Sequence, residues 1–191
     1  MSDEASFAQL VSLASHDLRT PLATVHGFAK TLERSAELAP PADRYVEMIG
    51  AASTEMAELL DTLSVAARIE SGRYDPARRS VDTLELARHA QERLDGVAVR
   101  GEGTMIETDV EAVDRAVTSL ARCALRHGGL DAVGVVVDGA EVMVSPITPA
   151  SAPVVLGDDL RDLRAAVAVR LIRALGGSVA VEGETLHVRL A

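Results

Sequence analysis

The chain has 191 residues, room for one large or two small domains, and its 48% hydrophobic and 25% charged content is that of a folded globular protein. A net charge of −10 argues against a nucleic-acid or anionic-membrane surface, and a single cysteine, Cys123, leaves no intrachain disulfide framework. No apolar run reaches the ~18 residues needed to span a bilayer, and with aromatics at only 2% the core must be built from Leu, Val, Ile, Ala and Met.

The N-terminal Met-Ser-Asp-Glu-Ala is acidic, unlike a signal peptide, and the expectation is a cytoplasmic chain without a sensor domain of its own. A first helix is predicted from about Asp3 to Glu37. Its apolar positions Val11, Ala14, Leu18, Pro21, Val25, Phe28 and Leu32 alternate at spacings of 3 and 4, a heptad seam. With Val11 at position a, His16 falls at f, pointing away from the seam. Pro21 has no N–H and frees the carbonyl of Asp17, so a kink is expected at this turn.

Leu38 to Ala42 carries two prolines and reads as a turn, after which Asp43 is placed to cap a second helix. Tyr45, Ile49, Ala52, Met56, Leu59, Leu63 and Ala66 repeat the 4-and-3 alternation, and Gly72 is the expected C-cap. Two long helices on a short loop form an antiparallel hairpin, residues 1–72. One hairpin cannot cover two wide apolar stripes, so a homodimer with a four-helix bundle is expected.

Residues 73–191 change character. Helices are predicted over Thr83–Leu94, Val110–His127 and Asp159–Leu175. Strands are predicted over Val97–Val99, Met105–Glu107, Ala132–Val137, Glu141–Val144, Ser178–Val181 and Thr185–Leu190. Arg78-Arg79 reads as a solvated linker and Ile147–Val155 as a loop. Helices on one face of a mainly antiparallel sheet make an α+β sandwich.

The chemistry concentrates in Ser15-His-Asp-Leu-Arg-Thr-Pro-Leu22. A neutral imidazole is a good nucleophile near neutral pH. The adjacent carboxylate of Asp17 can hold the other ring nitrogen, fixing the tautomer and raising basicity. Thr20 lies four residues beyond His16, on the same helix face.

This octet closely resembles the phosphoacceptor box of two-component histidine kinases. The resemblance implies His16 as phosphoacceptor, Asp17 as general base and Thr20 as the residue that orients water for dephosphorylating a receiver domain. Arg19 and Pro21 match the box without an assigned chemistry. The resemblance extends over nearly the whole chain. Arg68-Ile-Glu-Ser-Gly-Arg73 looks like the segment joining the hairpin to the ATPase domain, and Asp114 to Gly128 like the helix that carries the family's asparagine box. In that box the two Asn positions hold Ser119 and Cys123, while Ala124 and His127 fit.

The family's Asp-x-Gly-x-Gly falls on Val144-Ser-Pro-Ile-Thr-Pro149, with Ser145 at the adenine-reading Asp and Ile147 and Pro149 at the glycines. Counting back from Gly176-Gly177, the second glycine box falls on Asp162 and Arg164. A thiol is a poor Mg²⁺ ligand, Ile and Pro do not let backbone approach a nucleotide, and an Asp repels a triphosphate. The resemblance therefore implies an ATPase-shaped domain with no useful ATP binding and no cofactor of its own, Mg²⁺ being supplied by a partner receiver. His26, His89 and His187 show no metal-ligand spacing. His127 reads as a helix-end residue, and Cys123 as core.

Three functions stay open at this point. The first is a phosphorelay histidine phosphotransferase exchanging phosphoryl between His16 and response-regulator receivers, fed by a receiver or a separate histidine kinase. The second is an ATP-dependent histidine kinase core. The third is a pseudokinase scaffold or a receiver phosphatase acting through Thr20.

Overall fold

A computed structural model of the chain describes residues 3–35 and 38–191. The chain divides into two compact units, Met1–Tyr74 and Asp75–Ala191. Among the described residues no helix is long and apolar enough to cross a membrane.

The first unit is a helical hairpin of α1, Asp3–Ser35, and α2, Ala42–Glu70. Glu37, where the first helix is expected to end, lies outside the described residues. Helix α1 runs through Pro21 without interruption. Helix α2 starts two residues earlier than a cap at Asp43 requires. Pro41 holds the N-cap position without a side-chain bond, and Asp43 sits in the first turn, where its carboxylate favours the positive helix end. At the other end Ser71 is the C-cap, and Gly72 follows it with φ +65°. The Arg73 N–H then donates to the Arg68 carbonyl at 2.8 Å, closing the helix end.

The hairpin has an inverted distribution of side-chain size. Its buried positions are mainly small: Ala8, Ser15 and Ala29 on α1, and Gly50, Ser53 and Ala67 beside Val46 and Leu60 on α2. The two buried hydroxyls bond within their own helices, Ser15 to the Val11 carbonyl at 2.8 Å and Ser53 to the Ile49 carbonyl at 2.6 Å. The large apolar residues of the expected seams face outward, among them Leu18, Val25, Phe28, Leu32, Tyr45, Ile49 and Met56. Small residues bring the two helices close; the large ones remain uncovered.

The second unit is an α+β sandwich, in which three of the four helices begin at an Asp. Strand β1, Arg78–Asp82, leads into α3, Thr83–Arg93, where the Asp82 carboxylate accepts the Leu84 and Glu85 N–H groups. Strands β2, Val97–Gly103, and β3, Met105–Asp109, follow, and Asp109 caps α4, Val110–Gly128. Then come β4, Val133–Gly139, β5, Glu141–Ser145, and a one-turn α5, Ala152–Val155. Asp162 caps α6, Leu163–Ala174, and the chain closes with β6, Ser178–Glu182, and β7, Thr185–Arg189.

The main sheet has the order β2-β4-β5-β7-β6, with β2 parallel to β4 and every other pairing antiparallel. On β4, Val133, Val135 and Val137 are buried while Gly134 and Val136 are half-buried, so one face of the sheet is fully covered. Val142 and Val144 of β5 and Leu186 and Val188 of β7 join them under Leu86, Leu120 and Ile172 of the helices. Gly101 is obligatory: its φ is +122°, and a Cβ there would collide with the Val137 carbonyl oxygen.

Three expectations are corrected. Arg78-Arg79 is not linker but the start of β1, an antiparallel partner of β3 in a separate two-stranded ribbon. The segment 147–155 is not all loop, because 152–155 close the turn of α5. The last helix begins at Leu163 rather than Asp159, since the Asp162 carboxylate takes the Ala165 N–H at 3.0 Å and fixes the start there.

Candidate functional site

His16 stands on the outer surface of α1, its side chain 76% exposed, and Asp17 beside it is 68% exposed. The His16 Nδ1 lies 3.2 Å from the Asp17 Oδ1. With the ring proton on Nδ1 donated to that carboxylate, Nε2 presents its lone pair to solvent. The preceding Ser15 is buried in the hairpin, so the imidazole stands out from a fixed turn. Arg19 spans to α2, its Nη2 2.6 Å from the Asp61 Oδ1. Thr20 is exposed, and its carbonyl accepts the Thr24 hydroxyl at 3.2 Å. Pro21 leaves the Asp17 carbonyl without its helical donor. His16, Asp17 and Thr20 thus share one turn of exposed helix, open to a large partner.

The second unit holds the other candidate positions. Ser119 is half-buried on α4, and Cys123, one turn on, is fully buried. Burial, and after it the Asp162 carboxylate, push the Cys123 thiol up to about 12, with Arg126 and Arg161 opposing. Ser145 is the last residue of β5. Ile147 beyond it is buried in the core, and its N–H donates to the Glu184 carbonyl at 2.8 Å. Thr148 and Ser151 tie the next turn together: the Thr148 N–H donates to the Ser151 Oγ at 3.0 Å. Arg164 lies in the first turn of α6, two residues after the capping Asp162.

His127 sits in the last turn of α4, as expected of a helix-end residue, but it also meets Asp162, with Nε2 and Oδ2 3.3 Å apart. Cys123, His127 and Asp162 bring one donor atom each within 4.8 Å of one another. Reading each residue separately misses this convergence. The signal available in the sequence was the i, i+4 spacing of Cys123 and His127 on one helix face. His89 and His187 are placed elsewhere, facing Asp114 at 3.4 Å and Glu141 at 3.2 Å.

Residues 8–72 match the family described as the His Kinase A (phospho-acceptor) domain. Over 83 residues the chain is 31% identical to the sensor protein DivL of Caulobacter vibrioides, which covers 44% of this chain and 11% of that protein. Over 138 residues it is 28% identical to the probable sensor histidine kinase TcrY of Mycobacterium tuberculosis, covering 67% of this chain and 28% of that one. Among solved structures, full-length ShkA in complex with AMPPNP superposes with a TM-score of 0.68 at 21% identity, over 94% of this chain and 44% of that one. At that identity the likeness is one of fold, and the chain spans well under half the length of each curated relative.

Proposed function

We propose, for a chain that belongs to the two-component histidine kinase family, that it carries a phosphoryl group on His16 and exchanges it with the aspartate of response-regulator receiver domains in the cytoplasm, without useful ATP binding. The observation that carries this reading is the contrast between two sites. His16 is exposed with Asp17 on its Nδ1, whereas Ile147 and Cys123 are sealed in the core at positions where the family exposes a glycine and a metal-binding asparagine.

In the forward step the Nε2 lone pair attacks the phosphorus of a receiver's aspartyl phosphate. The N–P bond forms as the O–P bond breaks, and the receiver carboxylate leaves as the anion. Asp17 holds the Nδ1 proton and balances the positive charge that grows on the ring. The metal that screens the phosphoryl oxygens comes with the receiver. Thr20 is placed to steer water in the competing dephosphorylation. The outward Leu18, Val25, Phe28 and Leu32 support a homodimer in which two hairpins cover each other as a four-helix bundle.

Mg²⁺–ATP does not fit the residues of the second unit. A buried thiol replaces a hard oxygen ligand, and the Asp162 carboxylate at the start of α6 repels a triphosphate. The test compares wild type with His16→Ala, first with γ-labelled ATP and Mg²⁺, then with a phosphorylated receiver. Acid-labile label on His16 only from the receiver is the expected result. Label from ATP alone overturns it in favour of a kinase, and transfer that survives His16→Ala removes the phosphoacceptor.

A further inference from the structure

We propose that Cys123, His127 and Asp162 form a binding site for a borderline divalent cation of the zinc class, in the unit whose nucleotide contacts are gone. The three side chains offer one sulfur, one nitrogen and one oxygen donor, the mixed set that zinc takes readily and magnesium does not. Their donor atoms already lie within 4.8 Å of one another, and the His127 Nε2 and Asp162 Oδ2 are 3.3 Å apart. Tetrahedral zinc with bonds of about 2.0–2.3 Å needs its donors roughly 3.3–3.8 Å apart, so only a small contraction is required.

The framework fits a ligand site. Cys123 and His127 stand four apart on α4, which puts both on one face. Asp162 comes from the start of α6, and its Oδ1 is held by the Ala165 N–H at 3.0 Å, which turns Oδ2 toward His127. That fixed outer bond is what orients a metal-binding carboxylate. Cys123 is 0% exposed, and its Sγ lies within 4.8 Å of the two other donor atoms. His127 and Asp162 are 16% and 14% exposed, so the site has a mouth for a fourth ligand, water in the simplest case. On binding, the thiol gives its proton to solvent and the sulfur binds as thiolate, the charge of the cation offsetting the burial and the Asp162 carboxylate that hold the metal-free thiol protonated. The site does not depend on the phosphotransfer reading, since its three residues belong to the second unit and His16 to the first.

The experiment uses the full untagged chain, stripped with a chelator and titrated with Co²⁺, then with Zn²⁺. The expected result is a thiolate-to-cobalt charge-transfer band that saturates at one equivalent and is displaced by Zn²⁺. Cys123→Ser abolishes the band. Asp162→Asn, which keeps the helix cap, and His127→Ala weaken binding by about tenfold or more, the loss that follows from removing even an outer partner. His16→Ala changes nothing. Zn²⁺ raises the melting temperature of wild type but not of Cys123→Ser. Absence of the band in folded wild type overturns the site whatever the variants do, and a band retained at full affinity in His127→Ala overturns this ligand set.

Discussion

Arg19 and Asp61 tie the two helices of the hairpin together three residues beyond His16, with Nη2 and Oδ1 2.6 Å apart. Both side chains are about half exposed, 45% and 54%, so water and salt screen the pair. A double-mutant cycle through Arg19→Ala and Asp61→Ala is expected to give a coupling of about 0.2–1 kcal/mol by urea unfolding. Phosphoryl transfer in either variant stays within about threefold of wild type; a hundredfold loss would make Arg19 part of the transfer chemistry.

The neighbouring contact behaves differently. Asp17→Asn keeps an oxygen beside the His16 Nδ1 but removes the charge that balances the ring. Transfer from a phosphorylated receiver should fall by about 10²-fold, within the range of a general base, while the unfolding midpoint stays unchanged. Single-turnover quench-flow measures it; an unaltered rate would show that the carboxylate only orients the ring.

The outward apolar face predicts assembly. Phe28 is 67% exposed and Met48 58% exposed in the lone hairpin. Phe28→Asp combined with Met48→Asp is expected to convert a dimer into a monomer in sedimentation equilibrium, because a pair of charges does not enter an aliphatic bundle core. A wild-type chain that sediments as a monomer at tens of micromolar would contradict the bundle.

Gly50 sits inside α2, where an added Cβ meets only the Glu33 Oε1, at 3.2 Å. That atom is the tip of a flexible side chain and moves aside cheaply. Gly50→Ala should therefore stabilise the hairpin by roughly 0.5–1 kcal/mol through the helix preference of alanine. Ala29→Leu, at a position 3% exposed, should cost about 1–3 kcal/mol by forcing the helices apart. Thermal melts of the two variants should move in opposite directions.

In the second unit the Asp114 side chain is 9% exposed and meets the Arg93 Nη1 at 2.6 Å, linking α4 to α3. Removing the cation by Arg93→Ala leaves a carboxylate short of its strongest donor at the cost of about 1–3 kcal/mol. Arg93→Lys recovers only part of it, since the ammonium lacks the planar fork. Chemical denaturation of the three proteins checks the order.

Much of this architecture was legible because local signals agreed with the final packing. The octet at His16, the long 3-and-4 periodicities and the glycine-turned β4–β5 and β6–β7 hairpins all speak through neighbours in sequence. Strand β1 did not, because Arg78, Arg79 and Ser80 are exposed and only pairing with β3 makes them a strand. The start of α6 slipped because a cap at Asp162 overrides four residues of permissive sequence. The hairpin interior was invisible to hydrophobicity, since Ser15 and Ser53 are buried while Phe28 is not. The meeting of Cys123 and His127 with Asp162 depends on how α4 and α6 pack, which no local pattern encodes.

The inverted size gradient of the hairpin also makes abundance a variable. In the proposed dimer, a helix pair with alanine and serine inside and phenylalanine and methionine outside would draw stability from the second chain, so the folded fraction would follow mass action. Dilution would then loosen the helix on which His16 stands, and the supply of the proposed acceptor imidazole would fall faster than the supply of protein. The copy number of the chain would thereby become a threshold, below which the proposed phosphorylated receiver would find few competent acceptors.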